Sequence, residues 1–125
     1  MKTFIYDDYQ YDKNRDWIAT VGYIEGKNQL LNELCKKLKF PDYFGFNWDA
    51  LNDCLNDFIW FKENRIVLIH SAFPILSSKD TQIYLEILFD AINSWTENDD
   101  HLFDVVFPEQ DQDMIESIVK KILMK

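Results

Sequence analysis

Three aspartates recur at four-residue intervals in the middle of the chain, at Asp49, Asp53 and Asp57. On a helix, these carboxylates and their neighbours Asn52 and Asn56 fall within an arc of about 140°. No Lys or Arg lies among them. Like charges four residues apart destabilise an isolated helix by about 0.2 to 0.5 kcal/mol per pair, so this arrangement lowers the stability of the helix. The pattern indicates either a solvated face or a surface that binds something cationic.

The same carboxylates raise the alternatives of a metal site and a carboxylate enzyme. Oxygen ligands suit Mg²⁺ or Ca²⁺, but a helix rises about 12 Å from Asp49 to Asp57, so a single ion cannot reach all three aspartates. A glycosidase needs two acids about 5 to 9.5 Å apart, for which Asp53 and Asp90 are the candidates. The sequence contains no readable Ser-His or Cys-His pairing and no glycine-rich phosphate loop. We therefore expect no catalytic residue, no metal ion and no cofactor.

A loop rich in aromatic residues precedes the aspartates. Tyr43, Phe44 and Phe46 surround Gly45, whose backbone freedom lets the chain turn between the rings. The three rings cannot then all be buried, and we expect Tyr43, with its hydroxyl, at the surface and Phe44 in the core. Asn47 is a good N-cap for the helix that follows. Aromatic rings beside unpaired carboxylates are typical of surfaces that bind proteins.

The rest of the chain must position this helix and loop, and it alternates strand and helix patterns. We expect strands over residues 17–24, 65–70 and 101–107, with a further candidate edge strand over 3–6, and helices over 28–39 (capped by Asn28), 48–58, 78–95 and from Asp111 or Asp113 to Met124. Right-handed crossovers then give an α/β fold with a small parallel sheet covered by helices. No repeat or linker interrupts the pattern, so we place residues 1–125 in a single domain.

Charge and composition restrict the partners. The 125 residues include 22 acidic and 13 basic side chains, which gives a formal net charge of -9. This sign argues against direct nucleic-acid binding and favours a cationic partner. Acid concentrates in residues 40–58 and 97–113, and we expect the second block to be a solvated loop beside the last strand.

The sequence also predicts where in the cell the protein resides. The longest apolar stretches, such as residues 66–69, fall far short of the roughly 20 residues of a membrane span, and we expect neither a span nor a signal peptide. Cys35 and Cys54 are interpreted as free buried thiols in a reducing compartment. We therefore expect a cytoplasmic protein that is a monomer before it binds its partner.

The run over residues 40–55 resembles the barstar family, the intracellular inhibitors of barnase-type ribonucleases. It keeps without a gap the family's pattern of Pro, acid, two aromatics, Gly, any residue, Asn, any residue, Asp-Ala-Leu, any residue and Asp-Cys-Leu. The resemblance implies a small three-stranded parallel sheet packed by helices, with additional segments at residues 1–15 and 108–125. It also implies that the loop aromatic and the helix carboxylates block the active site of a ribonuclease.

The resemblance places Tyr43, Asp49 and Asp53 in the inhibitory surface, and Asp90 looks like the counterpart of an acid that the family uses on a later helix. Together with the residues of the polar face, the expected partner-binding residues are Tyr43, Asn47, Asp49, Asn52, Asp53, Asp57 and Asp90. The chain departs from the best-known family member at Asn52, where that protein has Trp, and at Asp57 and Phe58, where it has Gly and Trp.

The function that these observations favour is that of a non-enzymatic inhibitor, or immunity protein, for a basic ribonuclease. Carboxylates on the helix would take the place of the phosphates that the enzyme's cationic cleft binds. One alternative is an acidic module that masks another cationic protein, such as a deoxyribonuclease toxin. A carboxylate-based metal or glycoside enzyme is the third hypothesis.

Overall fold

A computed structural model of the chain describes residues 1–6 and 9–124. Asp7, Asp8 and Lys125, which belong to the expected N-terminal and C-terminal extensions, lie outside the described residues. The elements in chain order are β1 (Ile5–Tyr6), β2 (Asp16–Val21), α1 (Lys27–Lys37), α2 (Trp48–Leu55), β3 (Arg65–His70), α3 (Ser78–Ser94), β4 (Leu102–Phe107), a 3-10 turn (Glu109–Asp111) and α4 (Gln112–Leu123). The fold is α/β, as expected.

The sheet has four parallel strands in the order β1-β4-β3-β2, so the expectation of three strands was wrong. The additional strand is β1, whose Ile5 and Tyr6 pair with Val106 and Phe107 of β4. The buried ring of Phe4, immediately before β1, holds the segment in place by an edge-to-face contact with Phe107. A two-residue strand has no periodicity of its own, so only its distant pairing partner identifies it.

The core lies between one face of the sheet and the helices. α1 packs against β2, α2 against α3, and α3 against both β4 and α4. Alternate strand residues face this core, namely Ala19, Val21, Ile66, Leu68, Phe103, Val105 and Phe107. The buried side of α2 is therefore part of the main core, which fixes the direction of its polar side.

A chain of ion pairs lies on the opposite face of the sheet. The Arg65 guanidinium is 2.8 Å from a carboxylate oxygen of Asp16 and 3.7 Å from one of Asp104, and Lys2 Nζ is 2.7 Å from the other Asp104 oxygen. Tyr9 donates its hydroxyl to Asp104 at 3.3 Å and lies beneath the Arg65 guanidinium. These contacts attach the N-terminal segment to the sheet. The start of β3, at Arg65, is thus covered by this segment on the face opposite the core.

Two acids of this ion-pair chain are buried. Burial alone would raise the pKa of Asp16, but hydrogen bonds from Arg65 and from the Asp12 backbone N–H hold that pKa below its usual range. Asp104 is only 9% exposed, which corrects the expected solvated block at this residue, whereas Asp99 and Asp100 before β4 are exposed as expected. An acid at this position of β4 tolerates burial because Lys2 and Arg65 both pair with it.

The first long strand, β2, ends at Val21 and not at Ile24 as expected, and helix ends account for most of the remaining differences. α1 has Gly26 as its N-cap, with a φ of 91°, so the expected capping by Asn28 was wrong. α2 ends at Leu55 and not at Phe58, because Phe58 adopts a φ of 50° and turns its ring into the core. The indole N–H of Trp95 donates to the Leu55 carbonyl at 2.9 Å and so satisfies one of the last carbonyls of the helix.

Candidate functional site

The site is organised by α2, whose first turn is fixed by Asn47. The side-chain oxygen of Asn47 accepts a hydrogen bond from the Ala50 backbone N–H at 2.7 Å, and its amide nitrogen donates to the Gly45 carbonyl at 3.2 Å. Asn47 is therefore the N-cap that its position predicts. It also ties the aromatic loop to the helix. The role predicted for Asn47 in partner binding stays a prediction, since both polar atoms of its side chain already have partners within the chain.

The apolar side of α2 is anchored in the core. Leu51, Cys54 and Leu55 are buried. Trp48 donates its indole N–H to a carboxylate oxygen of Asp80 at 3.3 Å, and Lys27 lies over its ring at 5.2 Å. With this side immobilised, α2 does not need to reorganise when a partner binds its other side.

The opposite side of α2 is exposed and acidic, as its periodicity predicts. Asp49, Asn52, Asp53 and Asn56 all face solvent. Asp49 gains from the positive end of the helix dipole, whereas Asp53 lies in the last turn, where the dipole disfavours a negative charge. Within residues 1–6 and 9–124, no ion pair includes either carboxylate. Among the described residues, neither carboxylate is neutralised by a cation, and only Asp49 is favoured by the helix dipole.

Asp57 is exposed as well, but its place corrects the expected helical ladder. α2 ends at Leu55, so only Asp49 and Asp53 are four residues apart on the helix, and Asp57 follows the C-cap residue Asn56. The chain bends there because the left-handed Phe58 must reach the core. Asp57 also lines a polar recess that includes Lys62 and Asp99.

The aromatic loop divides its rings between surface and core. Tyr43 is 72% exposed, whereas Phe44 is 5% exposed and packs against Phe40. The Tyr43 hydroxyl lies 3.5 Å from an Asp57 carboxylate oxygen. Partial desolvation, together with the negative charge of Asp57, raises the pKa of the Tyr43 hydroxyl. Tyr43 is therefore a neutral hydroxyl donor on an apolar ring beside the acidic helix.

A second helix supports the end of α2. On α3, Ser94 donates its hydroxyl to the Asn56 side-chain oxygen, and Trp95, immediately after α3, donates to the Leu55 carbonyl. Asp90 lies one turn before Ser94 and is exposed. Partial desolvation of its carboxyl and, to a smaller extent, the charge of Glu86 raise its pKa. No hydrogen bond or ion pair joins Asp90 to α2 within the part of the chain that the structure describes. The support from Ser94 and Trp95 was not predicted, because it depends on how two distant helices meet.

The remaining residues with reactive side chains are engaged in the fold. His70 is buried, with its ring nitrogens 3.0 Å from the Val106 carbonyl and 2.7 Å from the Tyr84 hydroxyl, and burial lowers its pKa to about 4. Burial and the neighbouring charges of Asp57 and Asp53 raise the pKa of Cys54 to about 11, so this thiol is protonated at neutral pH. Neither group is placed for acid-base or nucleophilic catalysis.

Among the described residues, no group of three or more His, Cys, Asp or Glu side chains is arranged to hold a metal ion. None of the helices in the same residues is long and apolar enough to cross a membrane.

The family model described as Barstar (barnase inhibitor) matches residues 18–108. The match includes the aromatic loop, α1, α2, α3, β3, β4 and the last four residues of β2, and it leaves out β1 and α4. Among curated proteins, none matches the chain.

Proposed function

Since the chain belongs to the barstar family of barnase inhibitors, we propose that it blocks the active site of a barnase-type ribonuclease with the exposed side of α2 and the adjoining aromatic loop. The binding surface in this proposal comprises Tyr43, Asn47, Asp49, Asn52, Asp53 and Asp57, with Asp90 at its margin. The protein acts by occupying the cleft and carries out no reaction of its own.

The observation that carries the proposal is that Asp49 and Asp53 are exposed on a helix anchored in the core and form no ion pair with any residue that the structure describes. A ribonuclease lines its cleft with Arg, Lys and His because those groups bind phosphates and stabilise the charge that develops during cleavage. Carboxylates held at a helical spacing offer these cations hydrogen-bond acceptors that are negatively charged, as phosphates are. Over residues 1–6 and 9–124, no cation of the protein itself forms an ion pair with them.

The net charge and the free thiols support a basic partner and a reducing compartment for this function. The net charge of -9 disfavours direct contact with nucleic acid and attracts a basic enzyme. Cys35 and Cys54 are free thiols, which suits the reducing cytoplasm. In this proposal the protein is a cytoplasmic monomer that protects its cell as an immunity protein.

The test is a titration of the purified protein into barnase and a panel of related barnase-type ribonucleases, with the rate of RNA cleavage as the readout. We expect inhibition at a one-to-one ratio for at least one enzyme. Asp53→Asn should weaken that inhibition, and the matched control Asp113→Asn, an exposed aspartate on α4, should not. If no enzyme of the panel is inhibited, or if the two variants are equally affected, the proposal is wrong. A parallel titration into basic deoxyribonucleases, with the rate of DNA cleavage as the readout, tests the alternative partner, and inhibition there alone would overturn the ribonuclease proposal.

A further inference from the structure

Phe46 combines two features that are unfavourable for the isolated protein. Its φ of 50° lies in the left-handed region, which is strained for a residue with a side chain as large as Phe. Its ring is 49% exposed, although a Phe ring is stabilised by burial. Strained backbone and exposed apolar surface at one residue are typical of positions retained for binding.

The neighbours of Phe46 hold it in this conformation. Asn47 bonds both to the Gly45 carbonyl before Phe46 and to the Ala50 backbone N–H after it, so the two residues that flank Phe46 are fixed. One edge of the ring meets Phe44, with the ring centres 4.8 Å apart. The rest of the ring borders an open recess next to α1. The conformation therefore presents part of the ring to solvent at the N-terminal end of the acidic helix.

The fold does not depend on Phe46 to bury Phe44. Phe44 also packs against Phe40, with ring centres 4.8 Å apart, and is buried on that side by the core. Phe58 provides a contrast, because it has the same φ of 50° but its ring is fully buried. Core packing of a fully buried ring offsets the strain at Phe58, whereas Phe46 remains 49% exposed and gains less from burial.

We infer that Phe46 is a second aromatic anchor of the inhibitory surface, which packs against an apolar patch at the rim of the ribonuclease's cationic cleft. The inference rests on the proposed function and adds a specificity determinant to it. Phe46 belongs to the same loop as Tyr43 and lies three residues before Asp49, so its exposed ring is close in the chain to both residues of the proposed surface. Carboxylates recognise any cationic cleft, whereas a rigid apolar ring selects the enzymes with a complementary surface beside the cleft.

Two substitutions remove the ring without adding strain to the backbone. Both Gly and Asn tolerate the left-handed region, so Phe46→Gly and Phe46→Asn remove the ring and relieve the strain. We expect each to weaken binding to the most tightly inhibited ribonuclease of the panel by about thirtyfold or more, the change that corresponds to an interface hot spot. The urea midpoint of the free variants should be unchanged or higher. Tyr11→Ala, which removes an exposed ring from the N-terminal segment, is the matched control and should leave binding unchanged.

The outcomes distinguish this inference from the proposed function. Affinity is measured by calorimetry at a temperature where every variant is folded, so that changes in stability do not enter the dissociation constant. If Asp53→Asn weakens binding while both Phe46 variants bind as tightly as wild type, the inhibitor proposal stands and the inference about Phe46 is wrong. A loss of binding with Phe46→Gly but not with Phe46→Asn would also overturn the inference, because loop rigidity and not the ring would then matter.

Discussion

The Tyr43 hydroxyl lies 3.5 Å from an Asp57 carboxylate oxygen, which joins the aromatic loop to the residue that follows the C-cap of α2. At this separation the hydrogen bond is at the long limit for an O–H donor and is weak. Both side chains are exposed. The contact therefore places the Tyr43 hydroxyl beside the acidic surface, and the fold does not depend on so weak a hydrogen bond.

Tyr43 and Phe44 should respond oppositely to truncation. Tyr43→Ala removes an exposed ring and should weaken ribonuclease binding by about 2 kcal/mol or more while changing the free energy of unfolding by less than about 0.5 kcal/mol. Phe44→Ala empties a core position and should lower the free energy of unfolding by about 3 to 5 kcal/mol. Urea denaturation and calorimetric titration of both variants test this. A destabilised Tyr43→Ala that binds normally would show that the two roles are exchanged.

Asp53 should reduce stability while it promotes binding. Since α2 ends at Leu55, Asp53 has one like-charge neighbour on the helix, Asp49. Asp53→Ala removes that repulsion and adds a better helix former, so the free protein should be more stable by about 0.5 kcal/mol. Affinity should fall by about 2 to 5 kcal/mol, a scale for which the barnase–barstar complex is itself the reference case.

The measurement for Asp53→Ala is a urea melt of the free variant beside titration with the ribonuclease. Asp113→Ala, on the first turn of α4, is the matched control, and it should bind as wild type does. A loss of several kcal/mol in the stability of free Asp53→Ala would mean that Asp53 is a structural residue, and the interpretation of α2 as an inhibitory helix would fail.

Association should be steered by charge. A protein of net charge -9 that meets a basic enzyme should show an association rate that falls steeply between about 0.05 and 0.5 M salt, with a much smaller change in the dissociation rate, as in the barnase–barstar reference case. Stopped-flow mixing over this range measures both. An association rate that does not respond to salt would show that the carboxylates do not face the partner.

His70 should make stability depend on pH. The folded protein keeps this residue neutral down to its pKa of about 4, whereas the unfolded chain binds a proton near the ordinary value of 6.5. The contribution is therefore complete above about pH 6.5 and is lost as the pH falls towards 4, by about 2 kcal/mol between pH 7 and 5. Urea melts of wild type and His70→Gln at both pH values isolate this contribution, because their carboxylates titrate alike. Equal pH dependence in the two proteins would contradict it.

The N-terminal segment should be essential to stability although the family match begins after it. Phe4 is buried and packs edge-to-face against Phe89 and Phe107. Phe4→Ala should lower the free energy of unfolding by about 3 to 5 kcal/mol, while Thr3→Ala, at the exposed neighbouring position, should change it by less than about 0.5 kcal/mol. Thermal melts of the two variants compare them. Similar melting temperatures would show that the segment does not contribute to the core.

Several features of the site could be read from local sequence because their physics is local. The period of α2 assigns Asp49 and Asp53 to one side and Leu51 and Leu55 to the other, whatever the rest of the chain does. Asn47 caps the helix through an interaction that spans three residues. For the same reason the bounds of the main helices and longer strands lie within three residues of those expected.

Other features depend on contacts between residues far apart in the chain, and only the tertiary structure decided them. Pairing with β4 made β1 the fourth strand, and the ion pairs to Lys2 and Arg65 buried Asp104. Core packing of Phe58 ended α2 early and removed Asp57 from the helix. The sequence by itself determined the charge and the pattern of the binding helix, because these follow from composition and a 3.6-residue period. The tertiary structure decided which side chains remain without partners, because a partner distant in the chain leaves no signal in the local pattern.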